Sequence, residues 1–138
     1  HAGLRTAGGH VHIGYPSPTP EVSQRIALMC DYTLGLPSVI EDTTKGSRQR
    51  KELYGKASCV RWKSYGLEYR TLSSYWLWKK EYQEAVFNRA KWSALNHHLL
   101  EQMQATLPQG QVRDIINRGD KGAAKAAISL LKLAIEGY

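Results

Sequence analysis

This chain predicts an α+β fold: an antiparallel sheet of about three strands, followed by a helical C-terminal half. Three observations predict it. Residues 10–14 and 59–72 alternate polar and apolar side chains, the pattern of strands with one buried face. Beyond residue 74 the apolar residues recur at helical spacing. Apart from one helical stretch between them, the strand patterns precede the helical ones, which favours α+β over α/β. The 138 residues suit one domain, 1–138, with sheet and loops over 1–73 and helices over 74–138.

Residues 1–9 read as irregular and Gly-rich, and 10–14 as a strand. Pro16, Pro18 and Pro20 make an extended connection. Thr19 predicts a helix cap, with Pro20 at the first helical position and Glu21 in the first turn. Val22, Ile26, Met29, Cys30 and Thr33 then follow a helical stripe that Gly35 and Pro37 are expected to end. Residues 41–53 are polar and basic without clear period, and predict a mobile loop. Cys59–Lys63 alternates as a strand, Ser64-Tyr65-Gly66 suits a tight turn, and Leu67–Leu72 completes a hairpin.

Residues 75–105 lack Gly and Pro and predict one long helix, with Trp78, Tyr82, Ala85, Val86, Arg89 and Trp92 near one stripe. Leu99, Leu100 and Met103 continue an apolar side. Pro108 and Gly110 break it before a short helix around Val112, Ile115 and Ile116. Gly119-Asp120 predicts a turn into a last helix that buries Ala124, Ile128, Leu131 and Ile135.

Four Trp and eight Tyr exclude a disordered chain. No apolar run reaches the roughly 20 residues that cross a bilayer, so no membrane partner is expected. The N-terminal residues lack the apolar core of a signal peptide. Cys30 and Cys59 read as two free, buried thiols in a reducing compartment. The formal net charge is +7. Lys45, Arg48, Arg50, Lys51, Lys56, Arg61 and Lys63 crowd together, a pattern that suits nucleic acid, nucleotide phosphates or acidic substrates.

Two strand motifs carry the chemistry. In Gly8-Gly9-His10-Val11-His12-Ile13-Gly14, His10 and His12 share a face, because residues i and i+2 of a strand point the same way. Two imidazoles at that spacing reach one metal ion. In Gly66-Leu67-Glu68-Tyr69-Arg70-Thr71, Glu68 and Arg70 share a face. Arg61, on the adjacent arm of the hairpin, is expected to join them. Guanidiniums around a carboxylate form a phosphate clamp in which the carboxylate holds a divalent ion. Arg48 and Arg50 belong either to an exposed basic loop or to one that closes on phosphate. His97 and His98 read as surface residues.

Arg5-Thr6-Ala7-Gly8-Gly9-His10-Val11-His12-Ile13-Gly14, Leu34-Gly35-Leu36-Pro37-Ser38-Val39, Arg48-x-Arg50, Tyr54-Gly55-Lys56-Ala57-Ser58, Arg61, and Tyr65-Gly66-Leu67-Glu68-Tyr69-Arg70-Thr71-Leu72-Ser73 occur in that order. Together, over about residues 5–78, they resemble the phage-type carboxylate–amine (COOH–NH2) ligases of the glutamine-synthetase-like superfamily of amidoligases. The resemblance implies a partial glutamine-synthetase-like catalytic fold. It implies that His10, with His12 beside it, is a metal or phosphate ligand, that Glu68 binds metal and that Arg70 binds phosphate. Lys56 and Arg61 match two basic residues that contact the phosphates and the acyl-phosphate, with Lys in place of Arg at 56.

The reaction implied is ATP-dependent amide or peptide bond formation with Mg²⁺ or Mn²⁺. The substrates are a small-molecule or peptide carboxylate and an amine. The superfamily also uses an upstream Glu-x-Glu strand, and no such pair occurs in this sequence. The chain is therefore expected to be a C-terminal part of such a ligase. An N-terminal segment, a partner chain or a second copy would complete its sheet. A phage-encoded protein is expected in the host cytoplasm or associated with a virion.

Three rival readings follow from the same residues. One is a zinc hydrolase using His10, His12 and a third ligand from His97, His98 or Glu68. Another is a nucleic-acid-binding module built on the 45–63 cluster. The third is a virion structural protein that retains a ligase fold without turnover.

Overall fold

The computed structural model describes residues 8–53 and 55–138. Strands β1 (Val11–Gly14), β2 (Val60–Lys63) and β3 (Gly66–Tyr69) form an antiparallel sheet in the order β1-β3-β2. Helices α1 (Pro20–Cys30), α2 (Leu36–Glu41) and α3 (Ser47–Leu53) lie between β1 and β2 in sequence. Helices α4 (Lys80–Leu95), α5 (Leu100–Thr106), α6 (Gln109–Arg118) and α7 (Lys121–Ala134) follow the sheet. The predicted α+β class and the three strands are observed.

The sheet uses its alternation as expected. Ile13, Leu67 and Tyr69 turn inward and pack with Ile26, Ala27, Cys30 and Leu34 of the α1 segment and with Val86 and Ala90 of α4. A second core joins Met29, Tyr32, Leu36 and Val39 to Met103, Val112, Ile116, Ala124, Leu131 and Ile135. The α1 segment thus presents one side to the sheet and another to the C-terminal helices. Both cysteines are free; Cys30 is buried and Cys59 half-buried.

The caps follow the sequence. The Thr19 side chain accepts from Val22 N–H, with Pro20 at the start of α1. Asp120 accepts from Ala123 N–H at the start of α7. Gly119 closes α6 in the left-handed region, φ 65°, where a residue without Cβ carries no steric penalty.

Four expectations are corrected. The α1 helix does not end at Gly35 and Pro37. It widens into a π-helical turn over Asp31–Gly35, closed by Leu36 N–H on Asp31 O, and runs on as α2. Pro37 falls in the first turn of α2, where its missing N–H costs nothing. Residues 41–53 are not all loop, because Ser47–Leu53 is helix α3. Its only fully buried side chain is Arg50, so no apolar stripe marks it in the sequence. The 75–105 segment is not one helix. It begins as a 3-10 turn over Ser74–Trp78, and Asn96 and a second 3-10 turn, His97–Leu99, divide α4 from α5. Trp78 is consequently exposed. Gly110 does not break a helix; it lies within α6, behind Pro108, which serves as the cap.

Candidate active site on the open face of the sheet

The register brings the predicted residues into one row. His12 of β1 stands directly opposite Glu68 of β3, and Arg61 of β2 stands opposite Glu68 on the other side. Directly opposed residues project from the same face, so His12 and Arg61 share the face of Glu68, but Arg61 is exposed and makes no ion pair among the described residues. That face is the one turned away from the core.

Glu68 is 5% exposed, because its neighbours cover it. His10 Nδ1 lies 2.8 Å from Glu68 Oε1, Arg70 Nε lies 3.6 Å from the same oxygen, and Lys63 Nζ lies 3.7 Å from Oε2. Burial alone would push the Glu68 carboxyl up, but the charges of His10, His12, Lys63 and Arg70 outweigh it and hold the carboxyl below its ordinary range. His10 moves the same way. Burial lowers its pKa first, and the nearby Arg70 and Arg50 charges add to this against the attraction of Glu68. At neutral pH the site is therefore a neutral imidazole, an ionised carboxylate and permanent cations. With Nδ1 facing Glu68, the Nε2 atom of His10 is left for a ligand, the arrangement by which a carboxylate orients a ligating histidine.

The flanking glycines have a physical reason. A Cβ at Gly8 would lie 2.4 Å from His10 Nε2, and a Cβ at Gly9 would lie 2.3 Å from Ser73 O and 2.4 Å from Trp76 Nε1. Gly9 N–H donates to Leu72 O, and its own carbonyl accepts from Trp76. The Gly-Gly pair lets the chain pass this close to the segment after β3, and that approach seats His10. At the hairpin turn, Gly66 has φ 152°, and a Cβ there would lie 2.0 Å from Ile13 O.

The other predicted site residues are placed differently. His12 is exposed and its Nδ1 is hydrogen-bonded to the Tyr65 hydroxyl. Arg50 is buried, and its guanidinium donates to Thr71 O at 2.7 Å and to Arg70 O at 2.9 Å. It positions the segment leaving β3, which carries Arg70. Arg48 and Lys56 lie off the sheet face, in a cleft between α3 and the α6–α7 turn. Arg5, Thr6, Ala7 and Tyr54 of the resembling motifs lie outside the described residues. Lys63 joins the site through the alternation that also places Arg61, and Tyr65 enters it from the turn.

Among the described residues, no three His, Cys, Asp or Glu side chains gather closely enough to hold a metal ion by themselves. His97 and His98 sit at the α4–α5 junction, and His97 has Arg25, His98 and Glu101 as its charged neighbours. The zinc-hydrolase ligand set is therefore not assembled among the described residues. Glu68 is the one carboxylate of this row that could join a divalent ion, whose other positions would need phosphate oxygens and water. A separate cavity of about 430 Å³ lies among α2, α4 and α7, where Arg89 pairs bidentately with Glu41. It shares no residue with the strand face. No described helix is long and apolar enough to cross a membrane.

No curated protein and no solved structure matches the chain. A family model does match it, over residues 4–137. The chain belongs to the family described as phage phiEco32-like COOH.NH2 ligase-type 2.

Proposed function

We propose that this chain carries the phosphate-binding side of an ATP-dependent carboxylate–amine ligase that works through an acyl-phosphate. The observation that carries the reading is Glu68, buried at the centre of the sheet face, flanked by His12 and Arg61 and paired to His10, Lys63 and Arg70. Family membership supports the ligase class; the nucleotide and the intermediate are our inference.

In this reaction a carboxylate oxygen attacks the γ-phosphorus of ATP and ADP leaves. The amine nitrogen then attacks the acyl carbon, phosphate leaves, and the nitrogen loses a proton. The first step brings two anions together, so it needs cations around the transferring group and little covalent help. Arg61 and Arg70 would neutralise the phosphoryl oxygens, and Lys63 would add charge from the neighbouring position. His10 would donate or accept at Nε2, its ring held by Glu68. Glu68 would hold Mg²⁺ or Mn²⁺, which when bound supplies further neutralisation of phosphate charge. The remaining ligands of such an ion would come from outside the described residues, from another segment or a partner chain.

The test combines ATP, magnesium and pools of carboxylates with hydroxylamine, which traps an acyl-phosphate as a hydroxamate. Hydroxamate and ADP should form together, and Arg70→Ala should abolish both while leaving the circular dichroism spectrum unchanged. ADP release that needs no carboxylate, or normal turnover by Arg70→Ala, would overturn the reading.

A further inference from the structure

The seven cations between Lys45 and Lys63 read in sequence as one cluster, but the fold divides them. Arg61 and Lys63 belong to the sheet face, and Arg50 is buried against backbone carbonyls. Arg48, Lys51 and Lys56 instead meet Arg118 and Lys121, which arrive from the α6–α7 turn. These five line two adjoining cavities of about 520 and 340 Å³ that share Arg48, Lys51 and Arg118.

Five cations against two carboxylates leave this cleft with an excess of positive charge. Lys51 Nζ donates to Ile116 O at 2.8 Å, which fixes one ammonium in the wall and leaves two of its protons free of that bond. Arg48, Lys56, Arg118 and Lys121 are exposed, and their side chains make no hydrogen bond or ion pair among the described residues. Two carboxylates border the cleft. Asp42 is engaged by the hydroxyls of Thr44, Ser47 and Ser73, and Glu52 forms no ion pair with a described residue. Gathering an excess of like charges is unfavourable, and an arriving polyanion relieves it.

The lining also selects the kind of polyanion. Among the described residues it contains no aromatic side chain, so none of them offers a surface for stacking a base or another ring. Val39 is the one aliphatic side chain among the described lining residues, which gives an acidic peptide little purchase for its apolar residues. Two confluent basins with cations along both walls match a run of phosphates better than a single compact one. We propose that the cleft between α3 and the α6–α7 turn binds the sugar–phosphate backbone of nucleic acid, without reading sequence. The site is separate from the sheet face and does not depend on the ligase reading.

The test measures binding of a fluorescein-labelled thymidine 20-mer to the 138-residue chain by anisotropy, between 50 and 200 mM salt. Affinity should fall linearly on a log–log plot. R118Q/K121Q should bind at least tenfold more weakly at 50 mM salt, with the salt slope reduced by about 1.4, the value for two lost contacts to a single strand. K91Q/K125Q, which removes exposed cations from α4 and α7, should change neither quantity, and thermal unfolding should show both variants folded. Absent binding at 50 mM salt, or equal weakening by the two pairs, would overturn the proposal. So would competition by polyglutamate as effective as that by unlabelled oligonucleotide at equal charge, which would mark an acidic-polypeptide site. Displacement by equimolar tripolyphosphate would mark a compact anion site and overturn it as well.

Discussion

His10 Nδ1 lies 2.8 Å from Glu68 Oε1, which couples an imidazole to the buried carboxylate of the sheet face. Glu68→Gln keeps the shape of the side chain and removes the charge between Lys63 and Arg70. Turnover of the ligase should fall on the order of 100-fold or more, since such a group acts where charge develops. Losing a charged hydrogen-bond partner should also cost about 1.5–3 kcal/mol of stability. ADP release and urea unfolding measure the two effects. Turnover within a few-fold of the parent would remove Glu68 from the chemistry.

The same pair predicts a pH dependence. The folded pKa of His10 is depressed below 6.5, so the unfolded chain binds that proton first as pH falls. Its contribution is complete above 6.5 and is lost as pH falls toward the folded value. Glu68 is depressed below 4.5. Its contribution is present above that value and is lost as pH falls through the folded pKa. His97, lowered by burial and by Arg25, slopes the same way as His10. Urea midpoints should therefore drop between pH 7.5 and 5.5 and again below 4.5. His10→Gln should flatten the first drop and leave part of the second. Identical profiles for parent and variant would show that His10 is not held neutral by the fold.

Much of the site was legible because a strand has a period of two and pairs in register. His10, His12, Glu68, Arg70 and Arg61 could be placed on one face from alternation alone, and the His12–Glu68–Arg61 row bears that out. Local spacing does not reveal which long side chain turns where. Arg48 and Arg50 are two residues apart on a helix, so they point in different directions, and only Arg50 is buried. Lys56 and Arg61 look paired in sequence but end on different surfaces. Helix α3 was hidden because an arginine, and not an apolar stripe, fills its buried side.

Arg50 and Arg70 should separate by experiment. The fork of Arg50 holds two consecutive carbonyls of the chain leaving β3. A lysine has no planar fork and cannot make both bonds. Arg50→Lys should cost about 2 kcal/mol of stability, with activity falling alongside it. Arg70 is half-buried and its Nε makes no hydrogen bond. Arg70→Lys should leave the unfolding free energy within about 0.5 kcal/mol and still reduce turnover. Interchanged results would show that Arg50 serves the reaction and Arg70 the fold.

Gly35 offers the sharpest test of the fold. A glycine that merely ends a helix with ordinary backbone angles would gain about 0.4–1 kcal/mol on replacement by alanine, through the unfolded chain. Gly35 instead closes the π-helical turn and lies against the C-terminal helices. A Cβ there would lie 2.5 Å from Ile116 Cδ1 and 3.0 Å from the Tyr69 hydroxyl. That hydroxyl donates to the buried Asp31 carboxylate, which also accepts from Ser58 N–H and the Ser58 hydroxyl. Moving Tyr69 would disturb that set, and moving Ile116 would open a core in which it is fully buried. Gly35→Ala should therefore destabilise by about 1–3 kcal/mol, read from urea unfolding. A rise in stability would mean that α6 does not pack on this turn.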